Sequence, residues 1–262
     1  MSQLKEILGC KYPIIQGPIG RLNDPRMVAA VSNAGAFGML ALGFERDLNN
    51  IRRMINEIRK LTDKPFGANL MIATNPKNEA ILELLAEAGV KTITTSAGSP
   101  KKLLPKIKQV GLKVLHVSLN VSQALKACEE GVDGIIASGT ESGGLRSSGP
   151  ESTNMVLVPL VCDAISLPVV VAGGIADRRG YRVAFVLGAQ GVQIGTVLLT
   201  TKESPASLAW KEAIVRCGDA GTTLIPVGPI KMRVIINRKL GSLLASNSDL
   251  SKEYITGNAQ KA

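Results

Sequence analysis

The feature that most constrains the fold is a short β-rich run that recurs eight times along the chain. The runs begin 20 to 35 residues apart, about the length of one strand followed by one helix. They lie at 13–16, 37–40, 66–71, 91–95, 113–117, 133–137, 168–172 and 191–195. Strands that alternate with helices form a parallel sheet, because each helix carries the chain back to the start of the next strand.

The stretches between the runs carry helix start and stop signals in a repeated order. A side chain able to cap a helix precedes a proline, and a glycine follows the stretch. An Asp, Asn or Ser oxygen accepts a free N–H, proline suits the first helical position, and glycine accommodates a left-handed exit. The four stretches are Asp24-Pro25 to Gly35, Asn75-Pro76 to Gly89, Ser99-Pro100 to Gly111 and Ser204-Pro205 to Gly218. We expect a helix in each.

Eight such units in residues 1–221 predict an α/β fold of the (β/α)8 barrel class with parallel strands. The regular spacing, with no change of composition along the chain, favours a barrel over a doubly wound sheet. The 262 residues are 45% hydrophobic, which is enough for a sizeable core. Residues 222–262 are expected to form a short helical extension and a tail, and not a separate domain.

The composition argues against several classes of function. Lys and Arg outnumber Asp and Glu by 31 to 21, which favours anionic partners. Aromatic residues that stack on bases are few, so we expect no nucleic-acid partner. Four scattered cysteines and one histidine predict neither a metal site nor a disulfide framework. Without a signal-peptide pattern or an apolar run of roughly 18 residues, we expect a cytoplasmic protein that does not enter a membrane.

Two glycine motifs follow the seventh and eighth β-rich runs. In a barrel, the active site lies at the C-terminal ends of the strands, and phosphate is often held by the loops after strands seven and eight. The motifs are Ala172-Gly173-Gly174-Ile175 and Gln193-Ile194-Gly195-Thr196. Glycines allow backbone N–H groups to approach an anion closely. The alternative is that these glycines only turn the chain, but their presence at both places favours a phosphate site.

Side chains for acid–base chemistry are scarce at the strand ends. His116 and Glu141 are the candidate catalytic residues, because only they titrate in a useful range there. Each has a structural alternative: His116 faces either the mouth or a helix, and Glu141 either organises its loop or contacts a cofactor. Arg146 either binds an anion or faces solvent. Because no acid–base pair can be assembled, a bound cofactor is expected to supply the chemistry. The long glycine-rich loop 138–149 is expected to close over a ligand.

Six motifs occur in order between Tyr12 and about Gly221. They are Pro13-Ile14-Ile15-Gln16-Gly17-Pro18-Ile19, Val31-Ser32-Asn33-Ala34-Gly35-Ala36-Phe37-Gly38, Phe66-Gly67-Ala68-Asn69-Leu70-Met71, Glu141-Ser142-Gly143-Gly144, Ala172-Gly173-Gly174-Ile175-Ala176 and Val192-Gln193-Ile194-Gly195-Thr196. Each alone is a weak signal. Together and in this order they resemble the nitronate monooxygenase (2-nitropropane dioxygenase) family, which includes FMN-dependent enoyl-acyl-carrier-protein reductases.

The resemblance implies a TIM barrel with FMN at its mouth and NADH or NADPH as an electron donor. It places Gly17, Pro18 and Ile19 along the isoalloxazine ring, with Asn69 hydrogen-bonded to that ring. The expected cofactor-binding residues are Gly17, Pro18, Ile19, Asn69, Ser138, Gly143, Gly144, Gly173, Gly174, Gln193, Ile194, Gly195 and Thr196. Family enzymes usually carry a histidine after the paired glycines, where this chain has Leu145. Ser138 stands where related sequences carry a longer polar side chain.

The leading interpretation is an FMN-dependent oxidoreductase similar to nitronate monooxygenase, with a small-molecule or acyl-thioester substrate. An NAD(P)H-dependent enoyl-thioester reductase on the same scaffold is the first alternative. A flavin-binding subunit without catalysis is the second, because of Leu145. The third is a non-redox barrel that binds phosphate in the same loops. An exposed barrel mouth also predicts a homo-oligomer.

Overall fold

Eight parallel strands form a sheet that closes on itself in the computed structural model, which describes residues 2–20, 22–228 and 230–245. The strands are β1 Ile14–Gln16, β2 Gly38–Ala41, β3 Phe66–Met71, β4 Thr92–Ser96, β5 Lys113–Ser118, β6 Gly134–Ser138, β8 Val169–Ala172 and β9 Gly191–Ile194. Their order around the sheet is β1-β9-β8-β6-β5-β4-β3-β2. Phe37 joins the ends: its N–H donates to Ile14 O at 2.8 Å, and its carbonyl accepts from Gln16 N at 2.9 Å. The (β/α)8 barrel is confirmed.

Helices cover the outside of the barrel. They are α2 Pro25–Asn33, α3 Leu48–Leu61, α4 Asn78–Glu87, α5 Leu104–Gln109, α6 Val121–Glu130, α7 Asn154–Ala164, α8 Arg178–Val186, α9 Thr196–Leu199 and α10 Leu208–Arg216. A further helix, α1 Gln3–Leu8, places Leu4 and Leu8 in the interior of the barrel. The part of the chain that the structure describes contains no helix long and apolar enough to cross a bilayer.

All four punctuated stretches contain a helix, but the expected cap fits only two of them. Asp24 accepts from Arg26 N at the start of α2, and Ser99 caps a short 3₁₀ turn that leads into α5. Asn75 Oδ1 accepts from Lys77 N at 3.0 Å while its amide donates to Leu42 O and Glu45 O, but the helix α4 begins after Lys77, so Asn75 lies two residues before the N-cap position. Ser207 caps α10 in place of Ser204, and its side chain accepts from Trp210 N.

The core has two layers separated by the sheet. Inside the barrel lie apolar side chains such as Phe37, Met39, Leu115 and Ile136. Between the sheet and the helices lies a larger cluster that includes Val114. Successive side chains of a strand point to opposite faces, so each strand contributes to both layers. This alternation determines which polar side chains face the barrel mouth.

The extension after residue 221 contains a helix, as expected, but two strands precede it. Two strands, β10 Thr222–Val227 and β11 Ile230–Ile235, form a hairpin, and the helix α11 Arg238–Ala245 follows it. The strand β11 also pairs with β7 Gly144–Arg146, which lies in the long loop after β6. The hairpin forms because β7 supplies a third strand and Leu240 of α11 packs on Ile225 and Val234. The predicted tail from residue 246 onward lies outside the described residues.

Candidate functional site

Polar side chains line the barrel interior at the C-terminal ends of four strands. Asn69 of β3 lies between two residues of the outer layer, so its side chain points inward, and it is buried. Its Nδ2 donates to Thr94 Oγ1 at 2.9 Å, and its Oδ1 accepts from Ser96 Oγ at 3.4 Å. Ser138 of β6 and Gln193 of β9 face inward by the same alternation. The mouth therefore presents a ring of amides and hydroxyls above an apolar interior.

A buried ion pair lies beside Ser138 at the end of β6. Arg146 donates from Nη1 to Ser138 Oγ at 2.9 Å and from Nη2 to Ser138 O at 3.2 Å. The same Nη2 lies 3.0 Å from Glu151 Oε2, and the two side chains are 2% and 7% exposed. Arg146 therefore neither faces solvent nor has an unpaired charge, and both sequence-based interpretations of it are wrong. The pair anchors the long loop to the barrel.

The hydrogen-bond directions around Ser138 follow from its neighbours. Ser142 Oγ donates its hydrogen to Ala172 O at 3.0 Å, so in its 2.9 Å contact with Ser138 Oγ it is the acceptor. The Ser138 hydroxyl thus donates to Ser142 and accepts from Arg146. One lone pair of Ser138 Oγ is left for a ligand, which Ser138 can bind only as an acceptor.

Glu141 connects the long loop to the start of α7. Its two carboxylate oxygens accept from the N–H of Asn154, the first residue of α7, at 2.9 and 3.1 Å. The Asn154 side chain accepts from Gly139 N at 3.0 Å and donates to Ala172 O and Gly173 O at 3.1 and 2.8 Å. This engagement at a helix start favours the loop-organising interpretation of Glu141 over a catalytic one. Sequence reasoning missed Asn154, which carries no motif of its own.

Three glycine-containing loops converge at the rim. Gly173 has φ +106°, and a Cβ there would lie 2.4 Å from Ser142 Oγ, so only glycine allows this approach. A Cβ on Gly143 would lie 3.3 Å from Thr196 Oγ1. The predicted positions Gly143, Gly144, Gly173, Gly174, Gly195 and Thr196 thus belong to loops that meet at one part of the rim.

The first loop of the barrel reaches the same rim. Gly17 N donates to Ile194 O at 2.7 Å, which places Gly17, Pro18 and Ile19 beside the end of β9. The structure therefore brings together the predicted positions of the first and last barrel strands. Gln193 Oε1 is buried here and has no hydrogen-bond partner among the described residues.

His116 lies outside the mouth. Its neighbours Leu115 and Val117 point into the barrel, so the imidazole points outward beneath the helices. There its Nδ1 lies 2.8 Å from Thr95 Oγ1. Burial lowers the pKa of His116 to about 4, although the negative charge of Glu130 acts in the opposite direction. This position outside the mouth favours the structural alternative for His116 over a catalytic role.

Leu145 and Arg146 point to opposite sides of the small sheet. Leu145 is 42% exposed and pairs with Met232 of β11. The Met232 side chain packs in the apolar cluster under α11. On the side of Arg146, Arg233 donates to Thr140 O at 2.9 Å and to Thr222 Oγ1 at 3.1 Å. Sequence reasoning missed this role of Arg233. The available signal was that charged Arg233 lies between apolar Met232 and Val234, the alternation typical of a strand.

The rim fits the phosphate and ring of a flavin. Within the described residues, nothing accepts a hydrogen bond from the N–H groups of Gly173, Gly174, Gly195 and Thr196. Converging free N–H groups bind an anion such as phosphate. The orphaned Gln193 Oε1 and the remaining lone pair of Ser138 suit a ligand with an N–H donor. The described residues contain no group of three or more His, Cys, Asp or Glu placed to hold a metal ion.

Comparisons with known proteins identify the family. The family model for nitronate monooxygenase matches residues 1–83 and 76–256. A probable nitronate monooxygenase of Staphylococcus saprophyticus is 31% identical over 269 residues, which cover 86% of this chain and 76% of that protein. A probable nitronate monooxygenase of Staphylococcus aureus is 28% identical over 308 residues, covering 100% of this chain and 86% of that protein.

Two solved structures share the fold over almost the whole chain. FabK from Thermotoga maritima is 33% identical with a TM-score of 0.88, covering 100% of this chain and 84% of that one. Nitroalkane oxidase from Streptomyces ansochromogenes is 26% identical with a TM-score of 0.83, covering 92% of this chain and 81% of that one. The chain is therefore an oxidoreductase with a TIM-barrel fold, and it belongs to the nitronate monooxygenase family.

Proposed function

We propose that the chain is an FMN-dependent oxidoreductase that oxidises alkyl nitronates. The observation that carries this proposal has two parts. Rim loops meet whose backbone N–H groups have no acceptor among the described residues, and beside them lies a buried, unpartnered amide oxygen at Gln193. Burying a carbonyl without a partner costs free energy, so its presence at a mouth otherwise well bonded favours a ligand that donates to it. The family match supports FMN as this ligand.

The residues of the chain bind and orient the cofactor in this proposal. The N–H groups of Gly173, Gly174, Gly195 and Thr196 hold the phosphate, together with the loop at Gly143 and Gly144. Gly17, Pro18 and Ile19 lie along the ring, while Asn69, Ser138 and Gln193 surround its polar edge. The Ile194 side chain packs in the outer layer, so only its backbone lies at this rim. Bound FMN supplies two-electron chemistry, accepting electrons from a donor and passing them to an acceptor. The protein contributes geometry above all.

A nitronate substrate suits an active site in which Leu145 cannot act as an acid or a base. Neither His116 nor Glu141 is available at the mouth, because one faces the outer helices and the other caps α7. A nitronate is an anion that already lacks its acidic proton, so its oxidation does not need a base to remove that proton. This substrate class therefore suits a mouth without a free titrating side chain.

An NAD(P)H-dependent enoyl-thioester reductase is the second candidate. It is favoured by the similarity to FabK, which covers the whole chain. Protonation of the product would then need a donor, and in the absence of a side chain that donor is water. The excess of basic over acidic residues suits an acidic thioester carrier or the phosphates of NADPH.

Flavin binding is tested first, with the purified protein's visible spectrum and a titration of the flavin-free protein with FMN. The expected result is a yellow protein that takes up one FMN per chain. A colourless protein that binds no flavin would contradict the proposal and favour a non-redox phosphate-binding barrel.

Substrate choice is tested by bleaching of the flavin absorbance without oxygen. Bleaching by an alkyl nitronate, followed by recovery in air, supports the nitronate monooxygenase. Bleaching by NADH or NADPH alone, with recovery on adding an enoyl thioester, supports the reductase. A bound flavin that none of these donors reduces would favour a subunit without catalysis.

A further inference from the structure

We propose that a cavity beside the barrel mouth binds the adenosine half of NADH. This inference rests on the proposed FMN site and applies to the reductase candidate, in which a nicotinamide dinucleotide and not a nitronate reduces the flavin. The cavity has a volume of about 470 Å³. It lies between the first turn of α2 and the helix α3, on the outer side of the end of β2. Its volume falls within the range of about 300–1,000 Å³ typical of small-molecule sites.

The cavity continues from the rim where the flavin ring is proposed to lie. Gly20 lines it and directly follows Gly17, Pro18 and Ile19 along the chain. Ala41, at the end of β2, lines its inner wall. A dinucleotide with its nicotinamide over the flavin can therefore extend along the first loop into this cavity.

The side chains around the cavity match the parts of an adenosine phosphate. Phe44 offers a ring that is 42% exposed, which suits stacking with a base. Arg53 and Glu57 lie one helical turn apart on α3, and neither forms a salt bridge with any described residue. Arg53 donates one hydrogen bond, to Asn50 Oδ1 at 2.7 Å, and its other N–H groups are available to a phosphate.

Glu57 makes the cavity selective between the two nicotinamide dinucleotides. A carboxylate accepts hydrogen bonds from both hydroxyls of the adenosine ribose in NADH. The same carboxylate repels the 2′-phosphate of NADPH. Glu45 does not compete for this role, because its oxygens accept from the N–H groups of Arg46 and Asp47 and from Asn50 Nδ2. For the reductase candidate, the proposed donor is therefore NADH and not NADPH.

The test compares Phe44→Ala and Glu57→Gln with the wild-type holoenzyme. Leu125→Ala and Glu129→Gln are the matched controls, because both residues are exposed on α6 and far from the cavity in the sheet order. Anaerobic flavin bleaching is measured with NADH, NADPH and reduced nicotinamide mononucleotide, which lacks the adenosine half. Binding of ADP-ribose to the flavin-free protein is measured by calorimetry.

We expect wild type to favour NADH over NADPH by about tenfold or more in kcat/KM. Phe44→Ala should raise KM for NADH about tenfold but leave the mononucleotide unchanged. Glu57→Gln should reduce the preference for NADH over NADPH, and both variants should weaken ADP-ribose binding. Equal behaviour of the two variants and their controls would overturn the cavity assignment, as would a wild-type preference for NADPH. Loss of the FMN site itself shows separately, as a colourless protein.

Discussion

At the residue scale, the buried ion pair of Arg146 and Glu151 should contribute measurably to the free energy of unfolding, because it holds the long loop on the barrel. Replacing Glu151 with Gln leaves a buried guanidinium without its counter-charge, which typically costs about 3–5 kcal/mol of unfolding free energy. Urea unfolding at pH 7 measures this loss. The control Glu212→Gln breaks an exposed pair with Arg216 and should change stability by less than about 0.5 kcal/mol. Equal effects of the two substitutions would show that the buried pair does not anchor the loop.

The single histidine should make stability depend on pH. Since burial lowers the pKa of His116 to about 4 in the folded chain, the unfolded chain, with a pKa near 6.5, binds more protons between these values. Stability therefore falls as pH decreases through this window, by about 2 kcal/mol between pH 7 and pH 5. Unfolding free energies at the two pH values measure the loss. In His116→Asn the difference should nearly vanish, and its persistence would assign the effect to other groups.

Leu145→His tests the proposal that position 145 corresponds to the histidine that the family resemblance implies. The side chain at 145 is exposed, so an imidazole there should titrate near 6.5 and leave the fold intact. General acid catalysis by one group is worth roughly 10² to 10⁴-fold, so we expect a gain of about 10²-fold in reduction of an enoyl thioester. The gain should fade above pH 6.5, as the pH profile of kcat shows. Leu145→Gln is the control, and a gain of the same size in that variant would exclude proton transfer.

At the element scale, the barrel depends on strand positions that must lack a side chain, and Gly67 is one of them. Gly67 of β3 faces inward, and a Cβ there would lie 2.4 Å from Thr92 O and 2.7 Å from the Phe37 ring. We expect Gly67→Ala to cost about 1–3 kcal/mol through overpacking of the barrel interior, measured by urea unfolding. Gly218→Ala is the control, since no atom lies within 4 Å of its Cβ position. A Gly67→Ala protein as stable as the control would mean that the interior has room to relax.

The elements that could be predicted from the sequence are those specified by local patterns. All eight barrel strands lie within about one residue of their predicted positions, because apolar runs and capped helices are short-range signals. The strand β7 was missed because its three residues pair with β11, some 85 residues later, and nothing within Gly144–Arg146 specifies that partner. The hairpin β10–β11 pairs residues only 3 to 13 positions apart, so it was a short-range pattern that the sequence analysis overlooked.

At the scale of the whole molecule, the candidate site could be predicted only as far as backbone position determines it. The glycine loops converge as expected because barrel topology brings the ends of all strands to one rim. The roles of His116, Glu141 and Arg146 depend on which way each side chain points and which partner it meets. Those features depend on strand phase and on contacts with distant residues, so residue type alone did not determine them.

FMN bound at the rim should raise the free energy of unfolding of the entire chain. A ligand that binds only the folded state adds about 2.7 kcal/mol at a concentration 100 times its Kd. Gly195→Val places a side chain into open space at the rim, since no atom lies within 4 Å of its Cβ position. We therefore expect the flavin-free variant to keep a stability close to that of wild type, whereas added FMN should shift its urea midpoint much less. Gly218→Val, which also enters open space, should retain the full shift, because Gly218 lies outside the converging rim loops. If FMN stabilises both variants as much as wild type, the phosphate is held elsewhere and the assignment of the rim fails.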